Sequence, residues 1–134
     1  MPHLVILYTP NLDAETDMTA LCRALADDML TIRDEQDKQV FPTGGTRVLA
    51  YPAAHCAVAD GKADYAFVYL NVRMATGRSA GVHKRIGDSL LAVTRAHFAP
   101  IFNQRHLGIT LQIDESPGQV YDAKHSNLHP LFNK

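Results

Sequence analysis

The sequence predicts an α+β fold in which two β-α-β units form a four-stranded sheet with both helices on one face. Segments with strand character and segments with helical periodicity alternate along the chain, and the second half repeats the order of the first. Each unit offers only one helix to cross between its strands, and right-handed crossovers then place both helices on the same face. Because the chain has 134 residues and 46% of them are hydrophobic, we expect residues 1–134 to form a single domain.

The first unit is read from residues 3–52. Residues 3–8 form a short, continuous apolar run, which is typical of a buried strand. Apolar residues then recur at spacings of three and four, which predicts an amphipathic helix with Asp13 or Thr16 as its N-cap. These apolar residues are Met18, Leu21, Cys22, Leu25 and Met29. The polar segment 34–45 suits a surface connection, after which residues 46–51 regain strand character.

The second unit repeats this order. Residues 65–74 and 106–114 are predicted to be strands, and residues 79–97 a helix with Ser79 as its N-cap. The apolar stripe of this helix is predicted to be Val82, Ile86, Leu90, Val93 and His97. Residues 116–134 show no long periodicity, so we expect a C-terminal arm. Its expected anchors are Leu128, Leu131 and Phe132.

The second face of the predicted sheet needs a cover. Residues 4–7 and 66–70 are apolar on both sides of their strands. If the helices cover one face, the other would expose an apolar patch larger than the few hundred Å² that monomers tolerate. We therefore expect another copy of the chain to cover it.

Composition argues against several classes of function. A net charge of −1 gives no basic field for a phosphate backbone, so we expect no nucleic-acid partner. The chain shows no secretion signal, and no stretch approaches the roughly 20 apolar residues that span a bilayer. We therefore expect no membrane association and a cytoplasmic location. Cys22, on a helix face, and Cys56, in a strand-like stretch, are expected to be reduced.

Pro2 is the first candidate for chemistry. A small second residue allows the initiator Met1 to be removed, which would leave a secondary amine at the chain end. An ordinary α-amino group has a pKa of about 7.7 to 8.0, and burial beside cationic residues disfavours its protonated form. Such an amine can act as a base near neutral pH. Many proteins begin Met-Pro without functional consequence, but here Pro2 leads directly into a buried strand that fixes the terminus inside the fold.

Two arginines are candidates for binding an anion. Arg78 lies at a predicted strand-to-helix junction, where helix amides and a guanidinium can jointly receive a carboxylate. Arg47, at the start of the second strand, invites the same interpretation. Each also fits a solvated arginine, at a turn or at a sheet edge. The pair suits a small-molecule carboxylate as the ligand, although neither arginine is decisive alone.

The histidines do not indicate a metal site. His125 and His129 are four residues apart, but no acidic or cysteine ligand accompanies them. His83 and His97 fit the surface or boundary of the predicted helix. No glycine-rich loop that would cradle a phosphate is found in the sequence. We therefore expect no metal site.

Several short segments stand out in order along the chain. They are Met1-Pro2-His3, Phe41-Pro42, Arg47, residues 59–61, residues 64–68, Gly77-Arg78-Ser79 and His97-Phe98. Together they resemble the 5-carboxymethyl-2-hydroxymuconate Δ-isomerase family of the tautomerase superfamily, in the family's order and nearly its spacing. The resemblance covers most of the chain and is loose only in the tail. It implies a tautomerase-like fold, a homotrimer with its sheets lining the centre, and no cofactor.

The resemblance also implies roles for three residues. Pro2 would be the general base and acid, and Arg47 and Arg78 would bind carboxylates and stabilise negative charge on the 2-oxygen. The family reaction, which belongs to the catabolism of aromatic compounds, converts a 2-hydroxy dienoic acid such as 5-carboxymethyl-2-hydroxymuconate to its 2-oxo isomer. One group must take the enol proton and return a proton to a distant carbon, and a single amine over the conjugated system can do both.

Some positions depart from the family pattern and leave alternatives open. Leu49 stands where relatives often carry a second arginine, and Gly44-Gly45 alters the loop before it. A smaller 2-hydroxymuconate-type acid, or another 2-oxo acid enol, is therefore an alternative substrate. A hydratase, dehalogenase or decarboxylase would keep the fold and Pro2 but would need an acidic residue to activate water, and none is identifiable. A non-catalytic trimeric acid-binding protein is the third alternative.

Overall fold

Four strands form one mixed sheet in the computed structural model, which describes residues 2–132. In chain order they are β1 (His3–Tyr8), β2 (Arg47–Pro52), β3 (Tyr65–Ala75) and β4 (His106–Ser116). Their spatial order is β2-β1-β3-β4, with β1 parallel to β2, β3 parallel to β4, and β1 antiparallel to β3. The expected removal of Met1 and the last two residues of the arm lie outside the described residues.

Two helices connect the parallel pairs, α1 (Met18–Thr31) and α2 (Ala80–Phe102). Both pack on the same face of the sheet, where alternate side chains of β1 and β3 are fully buried. These side chains are Leu4, Ile6, Val68, Leu70 and Val72. The predicted α+β fold with two β-α-β units and both helices on one face is confirmed. Within residues 2–132, no helix has the length and apolar character needed to cross a membrane.

The start of α1 differs from the prediction. Its N-cap is Asp17, whose carboxylate accepts a hydrogen bond from the Ala20 amide at 3.0 Å. Asp13 instead accepts a hydrogen bond from the Tyr8 hydroxyl at 2.6 Å. Thr16 bonds a histidine ring of α2 at 2.7 Å. Asp13, Thr16 and Asp17 are all residue types that can cap a helix. Asp17 is the cap, because Asp13 and Thr16 form hydrogen bonds with other parts of the fold.

The second helix begins as predicted and ends later. Ser79 is the N-cap of α2 and accepts a hydrogen bond from the amide three residues on, at 3.2 Å. The helix continues beyond the predicted end at His97 and through Pro100 to Phe102. Its buried stripe is Val82, Ile86, Leu90, Thr94 and Phe98, rather than one ending in Val93 and His97. Phe98 is fully buried, so core packing extends the helix past the expected boundary.

The segment 34–45 is not purely a surface connection. Arg33 and Gln39 form an isolated β-bridge that turns the chain back on itself. The next two residues, Val40 and Phe41, are only 3% and 1% exposed. Their burial follows from this turn, which returns the chain toward the start of β1. The burial of Val40 and Phe41 was not predicted, because the residues before them in the segment are polar.

Both cysteines are free thiols, as expected. Cys22 is half-buried on α1, where burial raises the pKa of its thiol. The prediction for Cys56 was wrong, because it lies exposed in the loop between β2 and β3 and not in a strand. Pro52, which cannot donate a hydrogen bond to a sheet ladder, ends β2 before this cysteine.

The C-terminal arm follows β4 and contains a short 3₁₀ turn, His129–Leu131. This turn lies against a second one, Thr43–Gly45, where Gly44 is buried beneath the arm. The expected anchors Leu128, Leu131 and Phe132 remain 44%, 62% and 50% exposed, so the arm rests on the domain without entering its core.

The sheet face opposite the helices has two distinct parts. Cα partners at one end form a charged row. It consists of Arg47, His3, Arg73 and Asp114 in that order across the strands. Toward the other end, large apolar side chains are 37% to 50% exposed. They are Leu7, Leu49, Tyr51 and Phe67. Within one copy, no part of residues 2–132 covers this apolar surface.

Candidate active site

A cavity of about 180 Å³ lies at the N-terminal end of β1, on the helix side of the sheet. It is lined by Pro2, Val40, Phe41, Pro42, Met74, Ala75 and Arg78. Pro2 is buried there. Because His3 pairs with Arg73 across the antiparallel strands, the preceding Pro2 comes opposite Met74. Strand register therefore fixes the proline ring in the wall of the cavity.

Arg78 reaches the same cavity from the junction between β3 and α2. Its half-buried guanidinium donates from Nη2 to the Val40 carbonyl at 3.1 Å. The preceding Gly77 has φ +108°, a conformation that side chains with a Cβ rarely adopt. This turn and the cap at Ser79 place Arg78 beside the first turn of α2. The structure thus brings Pro2 and Arg78, both singled out from the sequence, to one cavity.

The segment 33–41, here called the strap, forms the third wall. The N-terminal part of α2 holds it at three points. Arg78 donates to Val40 as described, Ser79 Oγ donates to the Glu35 carboxylate, and Arg85 Nη1 donates to the Arg33 carbonyl at 2.7 Å. These three contacts tie the strap to the N-terminal part of α2 and hold Val40 next to Arg78.

Two carboxylates of the strap remain ionised through hydrogen bonds. Asp34 Oδ1 accepts from the amides of Gln36 and Lys38, each at 2.9 Å, and the bond from Lys38 is the main cause of its lowered pKa. The hydrogen bond from Ser79 is the main cause of the lowered pKa of Glu35. Sequence analysis assigned neither residue to the site. Asp34 and Glu35 come close to α2 because the chain turns at the β-bridge of Arg33 with Gln39, and no sequence pattern predicted this turn.

Arg47 does not line this cavity. It is the Cα partner of His3, one residue beyond Pro2, and alternation along the strands places it on the opposite face of the sheet. Its Nη1 donates to the Gly45 carbonyl at 3.3 Å. One copy of the chain therefore unites Pro2 with Arg78 and leaves Arg47 on the face that lacks a cover.

Three arginines near Pro2 have no carboxylate partner among the described residues. In the part of the chain that the structure describes, Arg47, Arg73 and Arg78 form no ion pair with a carboxylate. By contrast, Arg105 contacts both Glu15 and Asp64. The positive charge near Pro2 is thus available to an anionic ligand, and it also disfavours protonation of an amine placed nearby.

The other polar residues considered from the sequence have structural contacts. His97 bonds Thr16 at 2.7 Å, and His83 lies 3.3 Å from Glu115. Across residues 2–132, no three His, Cys, Asp or Glu side chains come together in a way that could hold a metal ion. No carboxylate is among the seven described residues that line the cavity of Pro2.

Comparison with known proteins gives a consistent result. Residues 2–132 match the family model of 5-carboxymethyl-2-hydroxymuconate isomerase. The 5-carboxymethyl-2-hydroxymuconate Delta-isomerase of Escherichia coli is 26% identical over 132 residues, which cover 98% of this chain and 99% of that protein.

Solved structures agree with the sequence match. One crystal structure of a 5-carboxymethyl-2-hydroxymuconate delta-isomerase superposes with a TM-score of 0.94 at 56% identity, covering all of this chain and 94% of the other. Another, from Deinococcus radiodurans R1, gives a TM-score of 0.85 at 36% identity, covering 99% and 95%. The resemblance inferred from the sequence is confirmed, and the chain belongs to the 5-carboxymethyl-2-hydroxymuconate isomerase family of the tautomerase superfamily.

Proposed function

We propose that this chain converts 5-carboxymethyl-2-hydroxymuconate to its 2-oxo isomer, with Pro2 as general base and acid. The observation that carries the proposal is the shared cavity of Pro2, which is buried, and Arg78, whose guanidinium has no carboxylate partner among the described residues. Family membership supplies the substrate, since the relatives at 26% to 56% identity carry that activity in their names.

The reaction moves one proton and changes no oxidation state overall. The Pro2 nitrogen takes the proton of the 2-hydroxyl group, the C2–O bond becomes a carbonyl, and the electrons of the diene shift toward its far end. The same nitrogen then returns a proton to the distant carbon. An amine that lies over the conjugated system can perform both steps without a second acid.

The surroundings of Pro2 favour the neutral amine that this chemistry needs. Once Met1 is removed, burial and the positive charge of Arg78 would both disfavour protonation of the amine. The guanidinium of Arg78 would bind a carboxylate and oppose the negative charge that develops on the 2-oxygen.

We assign Arg47 to the same reaction through a neighbouring subunit. Arg47 belongs to the open face of the sheet, and the exposed Leu7, Tyr51 and Phe67 on that face need a cover. A homotrimer in which the sheets face the centre would cover them. It would also bring Arg47 of one copy toward the cavity of the next, so the complete site would require the assembly.

The alternative reactions receive less support. A hydratase, dehalogenase or decarboxylase would need a carboxylate to activate water, and Glu35 is the nearest candidate through its bond to Ser79. Glu35, however, does not line the cavity of Pro2. A non-catalytic binding protein would account for the arginines but gives no reason for burying Pro2.

The test is an ultraviolet assay with the enol as substrate. We expect the absorbance of the dienol to decay to that of the ketone at a rate proportional to protein concentration, and Pro2→Ala to retain only part of the rate because it leaves a primary amine. Decay no faster than in buffer, or an undiminished rate in a protein whose terminus is chemically blocked, would overturn the proposal.

A further inference from the structure

A second cavity, of about 320 Å³, shares two wall residues with the cavity of Pro2. Met74 and Ala75 line both cavities. The second one is further bounded by His3 and Arg73 from the charged row and by the beginning of the C-terminal arm. A ligand that extends past Met74 and Ala75 would therefore meet Arg73.

Among the described residues that line this second cavity, Arg73 is the only arginine or lysine and Asp122 the only carboxylate. Arg73 forms no ion pair within residues 2–132. The pKa of the neighbouring His3 is lowered, first by burial and then by positive charges that include Arg47 and Arg73. Positive charge from Arg47 and Arg73 therefore acts on His3 in the wall of this cavity.

Two carboxylates close to Arg73 in the fold form hydrogen bonds with other residues. Asp122, which lines the cavity, accepts a hydrogen bond from Lys124 at 2.9 Å. Asp114, the Cα partner of Arg73, accepts one from Asn71 at 2.9 Å. Neither carboxylate forms an ion pair with the Arg73 guanidinium. The ion pairs within residues 2–132 all join other groups.

The arm adds neutral donors to the same cavity. Gln119 and Ser116 both line it, and the Gln119 amide donates to the Ser116 hydroxyl at 3.3 Å. A guanidinium flanked by an amide and a hydroxyl is the donor set that a carboxylate accepts. The arm therefore completes a cavity that β1 and β3 alone would leave open.

The proposed substrate has one carboxylate more than the simpler acid 2-hydroxymuconate, because muconate is a diacid and the carboxymethyl branch adds a third group. Arg47 and Arg78 are assigned to two of them. We propose that Arg73 binds the third, the carboxylate of the carboxymethyl branch, in the second cavity, and so selects three-carboxylate acids over two-carboxylate acids. This inference rests on the proposed isomerase function.

The test compares wild type and Arg73→Gln on both acids. With 5-carboxymethyl-2-hydroxymuconate we expect kcat/KM to fall about tenfold or more, mainly through KM, as for the loss of a hydrogen-bonded charge. With 2-hydroxymuconate we expect a change of less than about twofold. Arg73→Lys, which keeps the charge, should retain most of the preference. Arg95→Gln, which removes an exposed guanidinium on α2, is the matched control and should change neither value.

The outcomes are distinguishable. An equal loss on both acids with intact assembly by native mass spectrometry, or no loss on either, would overturn the role of Arg73 while leaving the isomerase proposal intact. If Arg73→Gln fails to assemble, Arg73→Met, which keeps an apolar stem without the charge, decides: a preference lost with normal assembly supports the subsite, and an unchanged preference contradicts it. Wild-type protein inactive on both acids would instead overturn the proposed function.

Discussion

Arg78 donates one hydrogen bond, from Nη2 to the Val40 carbonyl at 3.1 Å, and its remaining N–H groups can bind a ligand. The same contact ties the end of the strap to α2, so this side chain has both a structural and an electrostatic effect. A substitution at Arg78 must therefore be compared with one that disturbs the strap alone. Glu35→Gln weakens the contact to Ser79 without removing a positive charge from the cavity.

We expect Arg78→Ala to lose about 2 to 4 kcal/mol of transition-state stabilisation, or about thirtyfold to a thousandfold in kcat/KM, because the guanidinium opposes charge on the 2-oxygen. Steady-state kinetics with the enol measures it. Glu35→Gln should stay within about threefold of wild type. Equal losses in the two variants would show that Arg78 acts only by holding the strap.

His97 gives a prediction about stability and pH. Burial lowers its pKa below 6.5, with Asp17 opposing the shift. The unfolded chain then takes up a proton at a higher pH than the folded chain. The free energy of unfolding should therefore fall as the pH drops below 6.5 toward the folded-state pKa, and level off beneath it.

Urea unfolding between about pH 7.5 and about pH 5 measures this slope. In His97→Gln, whose amide can still bond Thr16, we expect a shallower decline than in wild type. The exposed His55 serves as control, and His55→Gln should decline as wild type does. Parallel curves for wild type and His97→Gln would contradict the assignment.

Gly44, beneath the arm, and Gly87, in α2, test packing at the scale of elements. A Cβ on Gly44 would lie 3.0 Å from His129 Nδ1 and 3.1 Å from His129 Cα, so the arm would have to shift. A Cβ on Gly87, inside α2, would meet only Ile113 Cδ1 at an ordinary 3.6 Å. The same chemical change should therefore act in opposite directions at the two sites.

We expect Gly87→Ala to stabilise the protein by about 0.5 to 1 kcal/mol, since alanine is the better helix former. Gly44→Ala should destabilise it by about 1 to 3 kcal/mol, the usual effect of overpacking, and should speed cleavage of the arm in limited proteolysis. Thermal unfolding and peptide mapping measure both. Faster arm cleavage in Gly87→Ala than in Gly44→Ala would contradict the docking of the arm.

Elements were easier to predict than their contacts. The strands and helices follow from apolar periodicity, which local sequence carries. Apolar periodicity predicted that α2 ends at His97. The helix continues because Phe98 is buried in the core, a tertiary contact that local sequence does not show. Val40 and Phe41 were missed since polar neighbours precede them and only the β-bridge of Arg33 with Gln39 turns them inward.

Proximity within the site could be predicted only in part. The resemblance named Pro2, Arg47 and Arg78, but which of them share a cavity depends on strand register. The pairing of His3 with Arg73 puts Pro2 opposite Met74, and the pairing of His3 with Arg47 sends Arg47 to the other face. The apolar pattern of a strand specifies which of its residues share a face, whereas the exact pairing of residues between strands also depends on the geometry of the connections.

For the whole molecule, the open sheet face predicts assembly. Leu7 is 47% exposed in a row with Tyr51 and Tyr69. We expect Leu7→Asp to convert the proposed trimer to smaller species, because a charge buried between subunits would lack a partner. Isomerase activity should fall with assembly, since Arg47 of a neighbouring copy would no longer reach the cavity of Pro2.

Analytical ultracentrifugation and the ultraviolet assay measure the two effects on the same samples. Val120→Asp, a matched apolar-to-acid change at a side chain with full exposure on the arm, should alter neither. Full activity from a Leu7→Asp monomer would show that one copy holds the complete site.

The most direct measurement is the mass of the N-terminal peptide from protein whose turnover has just been recorded. We predict that this peptide begins at Pro2 with an unmodified amine, and that activity scales with the fraction of chains processed in this way. Full turnover from chains that retain Met1, or that carry a blocked Pro2 nitrogen, would contradict the mechanism.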